Sequence, residues 1–249
     1  ARPDVRLDFK LVCHDDFPEI PESLVQAKRR ESDCLIIGDG LFSGRYDPAA
    51  GSWLVSVKSV MTKGQITRVF EQFLYQAFYS ASAKAGKTAF LVHSSSVSVD
   101  GHGFVFVGAS GMGKSTIAEL SKVYGVLNDE IGIIHPDGDG LRLDRSPFNT
   151  YFRPKSGKPA RLRAIFLLRH AAVCRIEPVS KAQAAAEITG QVVPPLGLED
   201  SFNPAIASSM MGIALELAGM VPVYHLYFPV EGGFWPLILT EFANGRSDS

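Results

Sequence analysis

Gly103-Phe104-Val105-Phe106-Val107-Gly108-Ala109-Ser110-Gly111-Met112-Gly113-Lys114-Ser115-Thr116 is the stretch whose reading decides the fold. The apolar run Phe104 to Val107 enters a glycine-spaced loop, and Ile117 to Lys122 behind it reads as helix. The spacing Gly108-x-x-x-x-Gly113-Lys114-Ser115, between a strand and a helix, is that of a phosphate-binding loop. Glycines let the backbone turn its N–H groups inward without Cβ atoms blocking phosphate oxygens. The helix opening at Lys114 adds its positive dipole end. Gly108, Ser110, Gly111, Met112, Gly113, Lys114, Ser115 and Thr116 are the expected nucleotide-binding set. Lys114 is expected at the β- and γ-phosphates, and the Ser115 hydroxyl on Mg²⁺. A nucleoside triphosphate, ATP or a close analogue, is the predicted ligand.

The chain of 249 residues is 46% hydrophobic, enough for a core and against disorder. Its net charge of −1 supplies no general attraction for nucleic acid or an anionic membrane. Cys13, Cys34 and Cys174 are odd in number and scattered, with neither a CxxC pair nor a disulfide framework, which suits a reducing cytoplasm. The residues at the start lack an apolar signal core. Met210 to Phe228 is the most apolar region, but Glu216, Gly219, Pro222 and His225 interrupt it, so it reads as a buried helix and then a strand. The expectation is a cytoplasmic protein with neither membrane nor nucleic-acid partners, possible homo-oligomerisation aside.

Residues 1 to about 60 read as mostly β. Val5 to Val12 alternates in part, Cys34 to Ile37 is a short apolar run, and Leu41 to Tyr46 with Ser52 to Val57 flanks a hairpin signal at Asp47 to Gly51. Ile66 to about Ala85 carries apolar residues at three- and four-residue spacing and predicts an amphipathic helix ended by Gly86. Thr88 to Val92 and Ser96 to Val99 read as two strands, and Asp100-Gly101-His102-Gly103 as a tight turn into the loop strand. Without a linker or repeat, one compact unit is expected: a β-rich region over 1–87 packed on a nucleotide-binding domain over 88–249.

Asn128-Asp129-Glu130 ends a short apolar run 15 positions after Lys114, room for one short helix, a turn and a strand. The two acids are either an exposed pair starting a turn or carboxylates near the phosphates. In the second reading one holds Mg²⁺ and the other accepts a proton from an attacking hydroxyl.

Taken together, His93-Ser94-Ser95-Ser96-Val97, Asp100-Gly101, the glycine-rich loop and Asn128-Asp129-Glu130 resemble the catalytic domain of HPr kinase/phosphorylase, whose nucleotide core is shared with phosphoenolpyruvate carboxykinases. The likeness spans about residues 88 to 228 and includes Arg175 to Ser180. It is nearest to short HPr-kinase-like proteins that accompany peptide-modifying enzymes, as in cassettes of the SynChlorMet type. The resemblance implies ATP- and Mg²⁺-dependent phosphorylation of a serine or threonine hydroxyl on a small protein or peptide. It places Asp129 as general base, Glu130 beside the metal in place of the family's usual Asp, and His93 near the transferred phosphate. On the residues alone, His93 also fits a structural histidine. The glycine- and arginine-rich signature of the phosphorylase half is not recognisable, which puts the reverse reaction in doubt.

Ile131 to Ile134 and Leu141 to Leu143 flank His135-Pro136-Asp137-Gly138-Asp139-Gly140, a hairpin turn that lacks the further ligands of a calcium loop. Arg142 to Arg163 holds seven basic residues against Asp144, and reads either as a loop closing over an anionic substrate or as a solvated surface. Arg163 to Arg169 reads as a buried strand with Arg175 to Val179 as its partner. Ser180 caps a helix, and Asn203-Pro204 opens another that ends near Gly219. The predicted fold is α/β, a mixed sheet carrying the loop helix. The other functions open to these residues are a small-molecule kinase, a carboxykinase, and a nucleotide-binding regulatory or scaffold subunit in peptide maturation.

Overall fold

The computed structural model describes residues 8–14, 28–31, 34–39, 42–47, 52–58, 74–75, 78–79, 82, 86, 88–146, 157–193 and 204–243. The chain divides into two compact units, residues 1–87 with 194–207, and residues 88–193 with 208–249.

In the first unit five strands form one sheet: β1 (Asp8–His14), β2 (Lys28–Glu31), β3 (Cys34–Asp39), β4 (Phe42–Asp47) and β5 (Ser52–Lys58). The spatial order is β1-β5-β4-β3-β2, with β1 parallel to β5 and the other pairs antiparallel. The expected hairpin forms, Asp47 opposite Ser52. β2 was not expected from the sequence, because Lys-Arg-Arg-Glu has no apolar alternation. Leu74, Tyr75, Phe78, Tyr79 and Ser82 are helical, and Gly86 has a φ of +63°, the left-handed conformation that suits a helix end. The rest of the predicted helix lies outside the described residues.

The second unit is a mixed α/β structure with a mostly antiparallel sheet and few helices. Its elements are β6 (Phe90–Val99), β7 (His102–Val107), α1 (Lys114–Leu120), β8 (Gly125–Asn128), β9 (Ile131–Asp137), β10 (Gly140–Asp144), β11 (Ala160–His170), β12 (Arg175–Pro178), α2 (Lys181–Thr189), α3 (Pro204–Met220, of which Ser208 onward belongs to this unit), β13 (Val223–Phe228) and α4 (Trp235–Ala243). The eight strands run β10-β9-β6-β7-β11-β13-β12, and β8 pairs with the second half of β6. β7, β11 and β13 are mutually parallel at the centre. The sheet curls, so that β10 also pairs with the start of β11 through Arg142 and Leu143.

Alternation along the central strands sends side chains to two cores. Val105, Val107, Ile165 and Leu167 meet Ala184, Ala185 and Ile188 of α2 and Ala214, Leu217 and Ala218 of α3. Phe104, Phe106, Phe166 and Leu168 meet Ile117 of α1 and Trp235 and Ile238 of α4. In the second core Phe166 is wholly buried, with ring centroids of Phe106 at 5.4 Å and Tyr224 at 5.7 Å. Phe166→Ala is expected to cost about 3–5 kcal/mol. It would appear as a lower denaturant midpoint at an unchanged slope.

Several expectations are corrected. Thr88–Val92 and Ser96–Val99 are not separate strands but parts of one, β6, whose Ser94, Ser95 and Ser96 are fully buried. Three serines in a row look like a break, but the Ser94 hydroxyl donates to the Val92 carbonyl at 3.1 Å and Ser95 reaches the Asn128 carbonyl at 3.4 Å. Arg175–Pro178 does not pair with β11. β13 arrives later in the chain and inserts between them, parallel to β11 and antiparallel to β12. α3 is buried on one side only, leaving Met211, Leu215 and Met220 exposed. α4 was not foreseen, because Pro236 near its start hides the apolar pattern, although proline is tolerated in a first turn.

The turn at Asp100-Gly101 forms as read, with φ values of +49° and +83° and Val99 opposite His102. Two left-handed residues make the hairpin twist match that of the strands. Ser180 caps α2, its hydroxyl accepting from the Gln183 amide at 3.4 Å. Gly138-Asp139 turns the β9–β10 hairpin. Asp139 pairs with Arg161 at 3.1 Å, and among the described residues no cluster of His, Cys, Asp or Glu could hold a metal by itself. The centre of the basic stretch, residues 147–156, and Asn203 lie outside the described residues. No described helix is long and apolar enough to cross a membrane.

Candidate functional site

The parallel strands β7, β11 and β13 end at one edge of the sheet, at Val107, His170 and Phe228. Ligands in α/β sheets collect outside the carboxyl ends of parallel strands, where loops can diverge. The Gly108–Gly113 loop leaves β7 at this edge.

Its glycines are there for two different reasons. Gly111 and Gly113 have φ values of +82° and +97°, where a side chain strains the backbone. A Cβ on Gly113 would also lie 3.0 Å from the Phe228 ring, and one on Gly108 2.9 Å from Met112. The loop is thus packed against the ends of its parallel neighbours. His170 at the end of β11 belongs to this packing, its Nε2 donating to the Gly111 carbonyl at 3.3 Å. Sequence reasoning passed over His170, because only the parallel register of β7 and β11 puts it beside the loop.

Lys114 opens α1 and turns its ammonium back across the loop, donating to the carbonyls of Gly108 at 2.8 Å and Ala109 at 3.3 Å. Burial pushes the Lys114 amine below its ordinary value, and Glu130 partly offsets this. Ser110 and Ser115 are exposed, Met112, Gly113 and Thr116 are half-buried, and the loop keeps an open face.

β6 runs beside β7, with Ser94 opposite Val107, so His93 stands next to the base of the loop. The β8–β9 turn comes to the same place: the Ser94 amide donates to the Glu130 carbonyl at 3.0 Å, and Ile131 is opposite His93. There His93 Nδ1 lies 3.5 Å from Glu130 Oε1. Burial lowers the His93 imidazole below its ordinary value, Glu130 acts in the raising direction, and Lys114 adds to the lowering. The mutual influence of His93, Lys114 and Glu130 brings three of the sequence-predicted residues together. Asp129 is beside them in the chain but fully enclosed, while the Glu130 side chain is 34% exposed.

The His93 shift has a consequence for stability. The unfolded chain takes up the imidazole proton near pH 6.5, the folded chain only at lower pH. Between those values the unfolded state holds more protons, so this contribution is complete above the unfolded value and lost as pH falls. From about pH 7.5 to about pH 5.5, His93→Gln is expected to lose less stability in urea than the wild type. Equal losses would mean that His93 does not titrate differently on folding.

Mg²⁺ prefers hard oxygen donors and commonly takes one or two from protein, the rest from phosphates and water. An exposed Ser115 hydroxyl and the half-exposed Glu130 carboxylate are donors of that kind.

Among solved structures, the chain is similar to the Hpr(Ser) kinase/phosphatase from Coxiella burnetii, at 10% identity over 62% of this chain and 93% of that one. The TM-score is 0.32, too low to carry an argument about function. No curated protein matches the chain. The family of the SynChlorMet cassette protein ScmC matches over residues 55–242, which takes in β6 through α4 and every residue of the site just described. By that match, extending over well more than half of its length, the chain belongs to the ScmC family of SynChlorMet cassette proteins.

Proposed function

We propose that this chain is an ATP- and Mg²⁺-dependent phosphotransferase acting on a serine or threonine hydroxyl of a small protein or peptide. The observation that carries the reading is the meeting of Lys114, Glu130 and His93 at the open face of a glycine-shaped loop.

The Gly108–Gly113 backbone and Lys114 hold the triphosphate. Lys114 exchanges its two loop carbonyls for phosphate oxygens, with Ser110, Met112 and Thr116 completing the nucleotide contacts. Ser115 and Glu130 hold Mg²⁺, which when bound neutralises phosphate charge. The acceptor oxygen bonds to the γ-phosphorus as the bond from that phosphorus to the bridging oxygen breaks, and ADP leaves with the electron pair. Asp129 receives the hydroxyl proton. His93, kept neutral by burial, donates a hydrogen bond at the transferred phosphoryl group.

The enclosure of Asp129 favours a second reading, in which the exposed Glu130 takes the proton and Asp129 fixes the β8–β9 turn. A family named for a gene cassette supports an acceptor encoded beside the chain. It equally suits a subunit that binds nucleotide without transferring phosphate.

The test is transfer from γ-labelled ATP with Mg²⁺ to HPr, to serine-bearing peptides and to products of neighbouring genes. Label on a serine or threonine is expected. Tight ATP binding with no labelled acceptor would favour the regulatory subunit, and an absence of ATP binding would end both readings.

A further inference from the structure

At the other end of the sheet, away from the glycine loop, a cavity of about 630 Å³ opens where β11 begins and where α3 and α4 end. Its size is that of small-ligand sites. Arg161 and Arg163 of β11 enter it, as do Leu162, Met220, Tyr224 and Phe242.

Arg163 is unusual in two independent ways. Along the β7–β11 ladder Leu162 is opposite Gly103 and Ala164 opposite Phe104, so the register shifts and Arg163 has no partner across the ladder. An extra residue of this kind re-aims its side chain, and such irregularities gather at functional places. Its Nε is also buried and has no hydrogen-bond partner. A buried guanidinium N–H left unpaired costs free energy, so a position that keeps one calls for an explanation. Arg161, in contrast, is paired with Asp139 at 3.1 Å on the exposed rim.

The lining sets the class of ligand. Two arginines are balanced by Asp139 and Glu241, so the cavity as a whole does not favour a polyanion. Among a mixed lining, Leu162, Met220, Tyr224 and Phe242 offer a place for a hydrocarbon or aromatic body. A planar guanidinium whose Nε is unpaired suits one carboxylate, since a guanidinium can bind a carboxylate through two parallel hydrogen bonds.

The geometry points to a binding site for a single carboxylate carried on an apolar body, either a free acid or the C-terminus of a peptide, with Arg163 as its anchor. The site is independent of phosphoryl transfer and stands on the other edge of the sheet from the glycine loop.

Calorimetric titration of the full chain without nucleotide tests it. The probes are N-acetyl-phenylalanine, an eight-residue peptide ending in phenylalanine, and the C-terminal amide of each. Both acids are expected to bind, and the amides and the Arg163→Gln variant to bind about 10- to 100-fold more weakly. Binding of the small acid alone would identify a metabolite site, and stronger binding of the peptide a chain-terminus site. Equal binding of acid and amide, no binding of either acid, or preference for inorganic phosphate would overturn the proposal. Should Arg163→Gln not fold, Thr240→Trp on the exposed face of α4 serves instead, since it narrows the mouth and leaves the core alone. Unchanged binding in that variant would equally overturn it.

Discussion

Asp129→Asn is expected to leave ATP binding nearly intact and to lower phosphoryl transfer by roughly 10²–10⁴-fold, the usual range for loss of a general base. The amide keeps the shape of the side chain and loses the ability to take a proton. Because Asp129 is fully buried, the substitution needs a parallel melting curve to separate chemistry from folding. Glu130→Gln is the decisive companion. If Asp129 is the base, Glu130→Gln should raise the Mg²⁺ concentration needed for half-maximal rate. If the roles are exchanged, Asp129→Asn stays active and Glu130→Gln loses the rate at saturating Mg²⁺. A plot of log rate against pH then shows which variant has lost its acidic limb.

Lys114→Met should have an effect of similar size by a different route. In the structure its ammonium donates to two carbonyls of its own loop and is half-buried, so the melting temperature should move little. Transfer should fall by roughly 10²–10³-fold, as when one preorganised donor to a developing charge is removed. Triphosphate affinity should fall by about 10- to 100-fold, the range of a lost charge-assisted hydrogen bond. Equilibrium dialysis with a non-hydrolysable ATP analogue separates the two effects. Unchanged affinity would mean that the loop does not hold phosphates.

What the sequence made legible is mostly local. The Asp100-Gly101 turn, the Gly108–Gly113 loop, the Ser180 cap and the β9–β10 hairpin each depend on a few adjacent residues, and each is read directly from them. Less legible was whatever depends on distant pairing. β13 separates β12 from β11 because a parallel pairing 58 positions apart, Ile165 with Val223, wins over a nearer antiparallel one. Nothing near residue 165 announces that choice. The same holds for His170, whose place beside the loop comes from register, and for Arg163, whose exit from the ladder is set by β7. Continuity of β6 through three serines was hidden because Ser94 bonds back to Val92 of its own strand and Ser95 finds its partner at Asn128, 33 positions on. Resemblance to a family named the candidate residues. The structure shows three of them, His93, Lys114 and Glu130, within electrostatic reach of one another.

The aromatic seam between β7 and α4 sets an order of assembly. Trp235 packs at 6.0 Å from Phe104 and 5.9 Å from Phe106, and its indole N–H donates to the Ser121 hydroxyl at 2.9 Å, just past the end of α1. During synthesis the loop strand emerges 131 positions before Trp235. Throughout that interval Phe104 and Phe106 have only the part of their cover that α1 and β11 supply, through Ile117 and Phe166, and lack the rings of α4. The second core is therefore complete only when α4 is in place, so its closure joins residues near 104 to residues near 235.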